Sequence, residues 1–355
     1  MRNSMKTVEI QTNPAYSVFI GGGRLAAAGV VLRSLLPEAE KLAVVTDDNV
    51  ALLWADGLES GLRAAGFETV RFELPYGEIQ KDAAHYFSLL RFLAEEGFSR
   101  TDAVLALGGG MVTDLAGFAA ATYLRGVSLV LCPTTLLATV DAAVGGKTGI
   151  DLPEGKNLAG AFYQPTAVLC DTDTLRTLPV KELTEGCAEV LKYAVLGDRE
   201  LFDRLLAEGR RFDREAVIAA CVAMKGEFVA ADEHDRGRRK LLNLGHTVGH
   251  AIEARSAYAV SHGSAVAMGL AVIARAAAAR GICTAACAGE IEAALAALDL
   301  PTRCPYGLGE LLPYLRRDKK RRGEVFDLIV PEAIGRCRVE TVSADGLEAF
   351  LKAGF

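Results

Sequence analysis

The sequence predicts an α/β protein in two parts, an N-terminal domain built on a parallel sheet and a mostly α-helical C-terminal domain. Three observations carry this. Short apolar runs alternate with segments of helical period through the first half, one of those runs ends in three consecutive glycines that lead into a helix, and from about Pro179 onward helical periods follow one another. At 355 residues the chain is also long for a single core, which favours domains 1–178 and 179–355.

The elements follow in order. Segments 41–46, 69–74, 102–107, 128–132 and 167–170 are short and apolar and read as buried strands. Most are followed by a helical period, and a helix between strands is the crossover that parallel pairing requires. A first glycine triplet, Gly21–Gly23, lacks a preceding strand of comparable quality and reads as a plain turn. In the second half the helical stretches are 180–208, 213–231, 240–255, 262–280, 287–298 and 308–316, with two late strands at 325–330 and 336–341. The Ala-rich segment 264–279 is interrupted by Arg275 and reads as a core helix, too short and too polar to span a bilayer. Neither an internal repeat nor a low-complexity linker is evident.

A hydrophobic content of 51% and a formal charge of −6 describe a soluble globular chain with no general affinity for nucleic acid. The segment 1–7 leads into alternating residues instead of an apolar run, so a secretory signal is not expected and the cytoplasm is the expected compartment. The eight cysteines lie in apolar surroundings, and the nearest pair, Cys283 and Cys287, has CxxxC spacing; they read as reduced core thiols.

Several segments carry chemical information. Three of the five histidines fall between positions 246 and 262. His246 and His250 are four apart and share a helix face, and His262 can join them after a turn, so the group reads as a divalent-metal site or as capping and core histidines. Gly108-Gly109-Gly110-Met111-Val112-Thr113-Asp114 follows the strand at 102–107. Glycines at a strand-to-helix turn let backbone N–H groups approach a pyrophosphate, as in Rossmann-like domains, although a turn with no ligand explains the same pattern. Asp47 stands after the strand at 41–46 as a ribose acceptor or as the N-cap of a helix over 49–66. The stretch from Gly145 to Asn157 sets Lys147, Lys156 and Asn157 among glycines, which suits an anionic, phosphorylated substrate. It is not a Walker A loop, because Asp141 occupies the position of the first glycine. Glu189 and Lys192, one turn apart among apolar neighbours, read as a surface pair or as a buried carboxylate awaiting a metal. The basic run 316–322 reads as a solvated face or as a contributor to phosphate binding.

Together, the stretches 108–126, 133–165, 186–192 and 239–253, with Ser261-His262-Gly263 and Asp318-Lys319-Lys320, resemble the 3-dehydroquinate synthases over nearly the whole chain. The resemblance implies NAD in the α/β domain, at Asp47, Asn49, Glu78, Lys81, Gly109 to Asp114, Thr134, Thr135, Thr174, Leu175, Arg176, Thr177 and Glu182, with Lys147 and Lys156 near both ligands. It implies zinc, or cobalt, on Glu189, His246 and His262. Substrate positions map onto Arg125, Asp141, Lys147, Lys156, Asn157, Lys192, Lys225, Arg239, Asn243 and His250, with Lys319 preferred over Lys320 for a late lysine contact. Catalytic roles fall to His250, Asp235, Lys147 and Lys192. The implied reaction converts 3-deoxy-D-arabino-heptulosonate 7-phosphate to 3-dehydroquinate and phosphate, in the shikimate route to aromatic amino acids. Transient oxidation by NAD, β-elimination of phosphate, re-reduction, ring opening and an aldol closure follow in turn, in a cleft between the domains of a homodimer. Thr113, Thr139 and Ala142-Ala143 depart from the usual family pattern without removing a charge or a metal donor. The competing readings are a sister sugar phosphate cyclase, a metal-dependent polyol dehydrogenase and a non-catalytic homologue.

Overall fold

The computed structural model describes residues 6–316 and 325–355, so Lys319 and Lys320 lie outside the described residues. In chain order the strands and helices begin with β1 (Lys6–Ile10), β2 (Tyr16–Gly21), α1 (Ala28–Leu35), β3 (Lys41–Asp47), α2 (Asp48–Val50), α3 (Asp56–Ala64), β4 (Glu68–Leu74), α4 (Ala83–Glu95), β5 (Ala103–Gly108), α5 (Gly110–Thr122), β6 (Ser128–Pro133), β7 (Lys147–Leu152), β8 (Gly155–Phe162) and β9 (Ala167–Asp171). They continue with α6 (Val180–Gly197), α7 (Arg199–Glu208), α8 (Arg214–Ala231), α9 (His246–Arg255), α10 (His262–Ala279), α11 (Ala285–Ala297), α12 (Leu308–Leu315), β10 (Val325–Ala333), β11 (Arg336–Ser343) and α13 (Ala344–Leu351). Two compact units result, Met1–Pro179 with Arg214–His234, and Val180–Asp213 with Asp235–Phe355. The single boundary expected at 178/179 is therefore joined by two further crossings, because α8 packs on β1 and β2 of the first unit.

The first unit holds a seven-stranded sheet in the order β1-β2-β9-β6-β5-β3-β4, parallel except for the antiparallel β1–β2 pair. All five strands expected from the sequence are present. β1 and β2 add a sixth and seventh; Gly22 and Gly23 do lie in a turn, but a strand the sequence did not show precedes it, since β2 pairs with β9 and ends at Gly21. After that strand, the Asp171 carboxylate accepts the N–H groups of Gly23 (3.0 Å) and Leu25 (2.8 Å), which ties the turn to the end of β9. β3 and β5 are buried on both faces, as parallel strands covered by helices must be. From β3 the chain steps outward to β4 and then returns to the other side of β3 as β5. That reversal is the topological switch point at which doubly wound sheets bind ligands.

In the second unit α10 is the central helix, largely buried, with α6, α9 and α11 packed around it. The stretch expected as one helix over 180–208 is two, broken where Asp198 caps α7 by accepting from Leu201 N–H at 2.8 Å. The expected helix 240–255 is a 3₁₀ segment over Arg238–Asn243 followed by α9. The late strands form a two-stranded antiparallel pair, β10–β11, and α13 closes the chain.

Candidate active site

In the first unit the switch point carries two loops. Asp47, at the end of β3, accepts N–H groups from Asn49 and Val50 through Oδ1 at 3.1 Å each, so it caps α2. Burial raises its pKa against those bonds. At the end of β5, Gly109 has φ −75°, so no left-handed backbone calls for glycine there, and what favours glycine at this turn is crowding. A Cβ on Gly108 would meet Val112 at 2.6 Å, and one on Gly109 would meet Thr135 at 3.1 Å. Thr134 N–H bonds to Gly108 O at 2.9 Å and joins the two turns. The first helical bond of α5 runs from Thr113 N–H to Gly109 O, which leaves the preceding N–H groups as donors for an anion. The hydroxyls of Thr113 and Thr139 donate back to Gly110 O (3.1 Å) and Thr135 O (2.7 Å).

Beside this turn, buried Lys81 pairs with Glu78 at 3.0 Å and Asp114 at 3.1 Å, with Asp151 at 4.0 Å. Burial pushes the Asp114 carboxyl up to about 6, with Lys81 holding it from going further. Asp151 also donates its N–H to Lys81 O at 2.7 Å, so the same lysine tethers β7. Thr174 and Thr177 lie on the turn after β9, where Thr177 accepts from Trp54 Nε1 at 3.1 Å. Leu175 is buried and Arg176 pairs with Asp173 at the surface.

The cationic glycine stretch is an antiparallel hairpin, β7 and β8, with Lys147 opposite Phe162 and Leu152 opposite Gly155. Gly145 and Gly146 enter it at φ 97° and 72°. Lys147 is exposed, and Asn157, itself at φ 53°, donates its N–H to Asp151 at 2.8 Å. Asp141 forms an ion pair with Lys225 of α8. Arg125 sits in the turn between α5 and β6 at φ 69°.

The second unit brings the metal-donor candidates together. α6 buries Glu189 and Lys192 completely, and the two form an ion pair. Glu182 lies at the start of the same helix, its pKa raised by burial and then by Glu185. His246 Nε2 and His262 Nε2 each lie 3.4 Å from Glu189 Oε1. A tetrahedral cation with bonds of about 2.0–2.1 Å holds its donor atoms roughly 3.3–3.4 Å apart, so these three groups fit one divalent ion. His246 Nδ1 meets Leu244 O at 3.1 Å, which leaves Nε2 as the donor. Burial alone would lower the His262 pKa, but Glu189 and Glu253 outweigh it and raise the ring to about 10, the response of an imidazole set among carboxylates.

These donors converge because α9 and α10 cross with their backbones nearly touching. Gly245 starts α9 in the left-handed region at φ 79°, and a Cβ on Gly269 would lie 2.1 Å from Gly245 O. Buried Glu185, one turn before Glu189, accepts from Ser261 Oγ (2.5 Å), Ser264 N–H (2.7 Å) and Ser264 Oγ (2.8 Å), and so clamps the first turn of α10 on which His262 stands. His250 is exposed, its ring 5.4 Å from that of His246. Arg239 is buried in the 3₁₀ segment, Asn243 donates to Lys240 O at 3.0 Å, and Asp235 opens this part of the chain at φ 57°. Sequence reasoning passed over Glu185 and Glu253. Their signal was spacing: Glu185 is four residues before Glu189, and Glu253 is seven after His246.

The 3-dehydroquinate synthase N-terminal family model matches residues 71–185, and the C-terminal one matches residues 186–321. The chain is 43% identical over 351 residues to the 3-dehydroquinate synthase of Symbiobacterium thermophilum, covering 95% of this chain and 97% of that one. It is 40% identical over 353 residues to that of Streptococcus suis, covering 98% and 99%. Among solved structures it is similar to the 2-epi-5-epi-valiolone synthase of Streptomyces hygroscopicus subsp. jinggangensis, solved with NAD+ and Zn2+ bound, at a TM-score of 0.86 and 28% identity over 95% of each chain. A protein from Sinorhizobium meliloti 1021 described as a probable glycerol dehydrogenase shares the fold at a TM-score of 0.60 and 15% identity, with 85% of this chain and 89% of that one covered. Two adjoining family models and relatives spanning nearly its full length establish that this chain belongs to the 3-dehydroquinate synthase family.

Proposed function

We propose that the protein is a 3-dehydroquinate synthase, a carbon–oxygen lyase that converts 3-deoxy-D-arabino-heptulosonate 7-phosphate to 3-dehydroquinate and phosphate, with NAD and one zinc or cobalt ion. The observation that carries the reading is the set of buried Glu189, buried His246 and half-buried His262 beside the buried Lys192, three donors spaced for one ion with a cation next to them. When bound, the divalent ion supplies Lewis-acid activation of substrate hydroxyls and NAD supplies reversible hydride acceptance. The protein's own groups do the rest. Lys192, Arg239 and Asn243 hold the polyol and carboxylate portion, and Arg125, Lys147, Lys156, Asn157, Lys225 and Lys319 serve the anionic ends. His250 and Asp235 exchange protons with the substrate, His250 through a ring nitrogen. The α5 N-terminus and the threonines at 134, 135, 174 and 177 hold the nucleotide. Holding one flexible molecule in a productive conformer is the main task of these groups. We place the enzyme in the cytoplasm as a homodimer.

Purified protein with NAD and zinc is expected to release inorganic phosphate from 3-deoxy-D-arabino-heptulosonate 7-phosphate and to form dehydroquinate without steady accumulation of NADH. Stoichiometric NADH would indicate a polyol dehydrogenase, and absence of phosphate release would reject the proposal.

A further inference from the structure

Imidazole has two nitrogens, and a histidine ligand binds well only when the outer one is committed to an acceptor. At His246 the backbone does this through Leu244 O. His262 is the first residue of α10 and its side chain is 31% exposed, against 10% for His246, so its ring needs a separate restraint. The group in place is Glu253, whose side chain is 4% exposed and whose Oε2 lies 3.3 Å from His262 Nδ1. We propose that Glu253 is the positioning carboxylate of His262, holding the proton on Nδ1 so that Nε2 faces Glu189 and the metal. A carboxylate only accepts, so the contact selects one tautomer; it also fixes the ring plane. Glu253 sits two turns after His246 on α9, so the helix that supplies one ligand also orients the next. Glu185 holds the backbone of α10 and Glu253 holds the ring, two constraints on one ligand. The inference rests on the metal reading of Glu189, His246 and His262. His250, Glu253 and His262 also bring donor atoms within 4.8 Å of one another, so a second ion is the competing use of the same carboxylate.

The test compares the parent protein with Glu253→Gln and Glu253→Ala, each stripped of metal and reloaded with Co²⁺. Affinity is read by chelator competition, geometry by the visible cobalt absorption bands, and folding by the melting midpoint of the metal-free protein. Glu253→Ala is expected to weaken cobalt binding roughly 10–100-fold. Glu253→Gln, which keeps a carbonyl acceptor without its charge, is expected to fall between, with shifted bands and a parent-like metal-free midpoint. Parent-like affinity and bands in both variants would overturn the proposal, and so would two ions per chain in the parent falling to one in the variants. A parent protein that binds no cobalt at stoichiometric loading would instead overturn the underlying metal reading.

Discussion

What surrounds the ring separates a candidate ligand histidine from a candidate proton-transfer histidine, and the three histidines of one short stretch differ in this respect. His246 and His262 turn Nε2 toward the same Glu189 oxygen, whereas His250, on the next turn of α9, is exposed. His262→Ala is therefore expected to lose bound zinc. His250→Ala is expected to keep its zinc while turnover falls about 10²–10⁴-fold, as for loss of a general acid or base. Metal content after dialysis and initial rates of phosphate release measure the two effects, and equal zinc loss in both variants would show the ligand set to be wrong. Asp114 allows a test by pH. Its carboxyl is raised from 3.8 to about 6, so the folded chain binds this proton more tightly than the unfolded chain does. Its contribution to stability is then greatest below the unfolded value and declines as pH rises through the folded one. Asp114→Asn should flatten the pH dependence of the melting midpoint between about 4 and 6; parallel curves for the two proteins would contradict the assignment.

At the scale of elements, the crossing of α9 and α10 is what makes a metal-donor set out of separated residues. Gly269 has no room for a methyl group beside Gly245 O, so Gly269→Ala must push the helices apart. A loss of about 1–3 kcal/mol is expected, together with weaker metal binding, because His246 and His262 move apart with their helices. Urea unfolding and cobalt titration on the same preparation check both parts. Glu185→Ala acts on the first turn of α10. It leaves Ser264 N–H and the hydroxyls of Ser261 and Ser264 without the carboxylate, at a cost of about 1–3 kcal/mol. Faster hydrogen exchange confined to the first turn of α10 would identify the loosened segment, and unchanged exchange there would rule out the clamp. The β7–β8 hairpin follows the same logic in the first unit. Its cationic residues, which the sequence showed only as cations among glycines, are displayed on an antiparallel pair tied through Asp151 to Lys81.

For the whole molecule, removal of the divalent ion by a chelator is expected to abolish turnover and to leave the sheet of the first unit folded, since the donor set lies entirely in the second unit. Added Zn²⁺ or Co²⁺ should restore activity, and loss of far-UV dichroism in step with activity would contradict this separation. Much of the fold was legible before the structure. The interior strands β3, β5, β6 and β9 announced themselves because a parallel strand buried on both faces must be continuously apolar, whereas β4 lies at the sheet edge and is only partly buried. β1 and β2 did not, since β1 is half exposed and alternates; the hairpin at 147–162 was hidden by its glycines. Glu185 and Glu253 were visible only as spacings, because a buried carboxylate reveals itself by its partners, and theirs come from Ser261, Ser264 and His262. The sequence by itself determined the α/β class, the glycine turn after β5 and the donor types, since periodicity, turn chemistry and ligand chemistry are local properties of the chain. Strand order, the return of α8 to the first unit and the grouping of Glu189 with His246 and His262 were decided by tertiary structure alone. They depend on how closely distant backbones approach, and that distance is set at contacts such as Gly245 against Gly269, which no local pattern encodes.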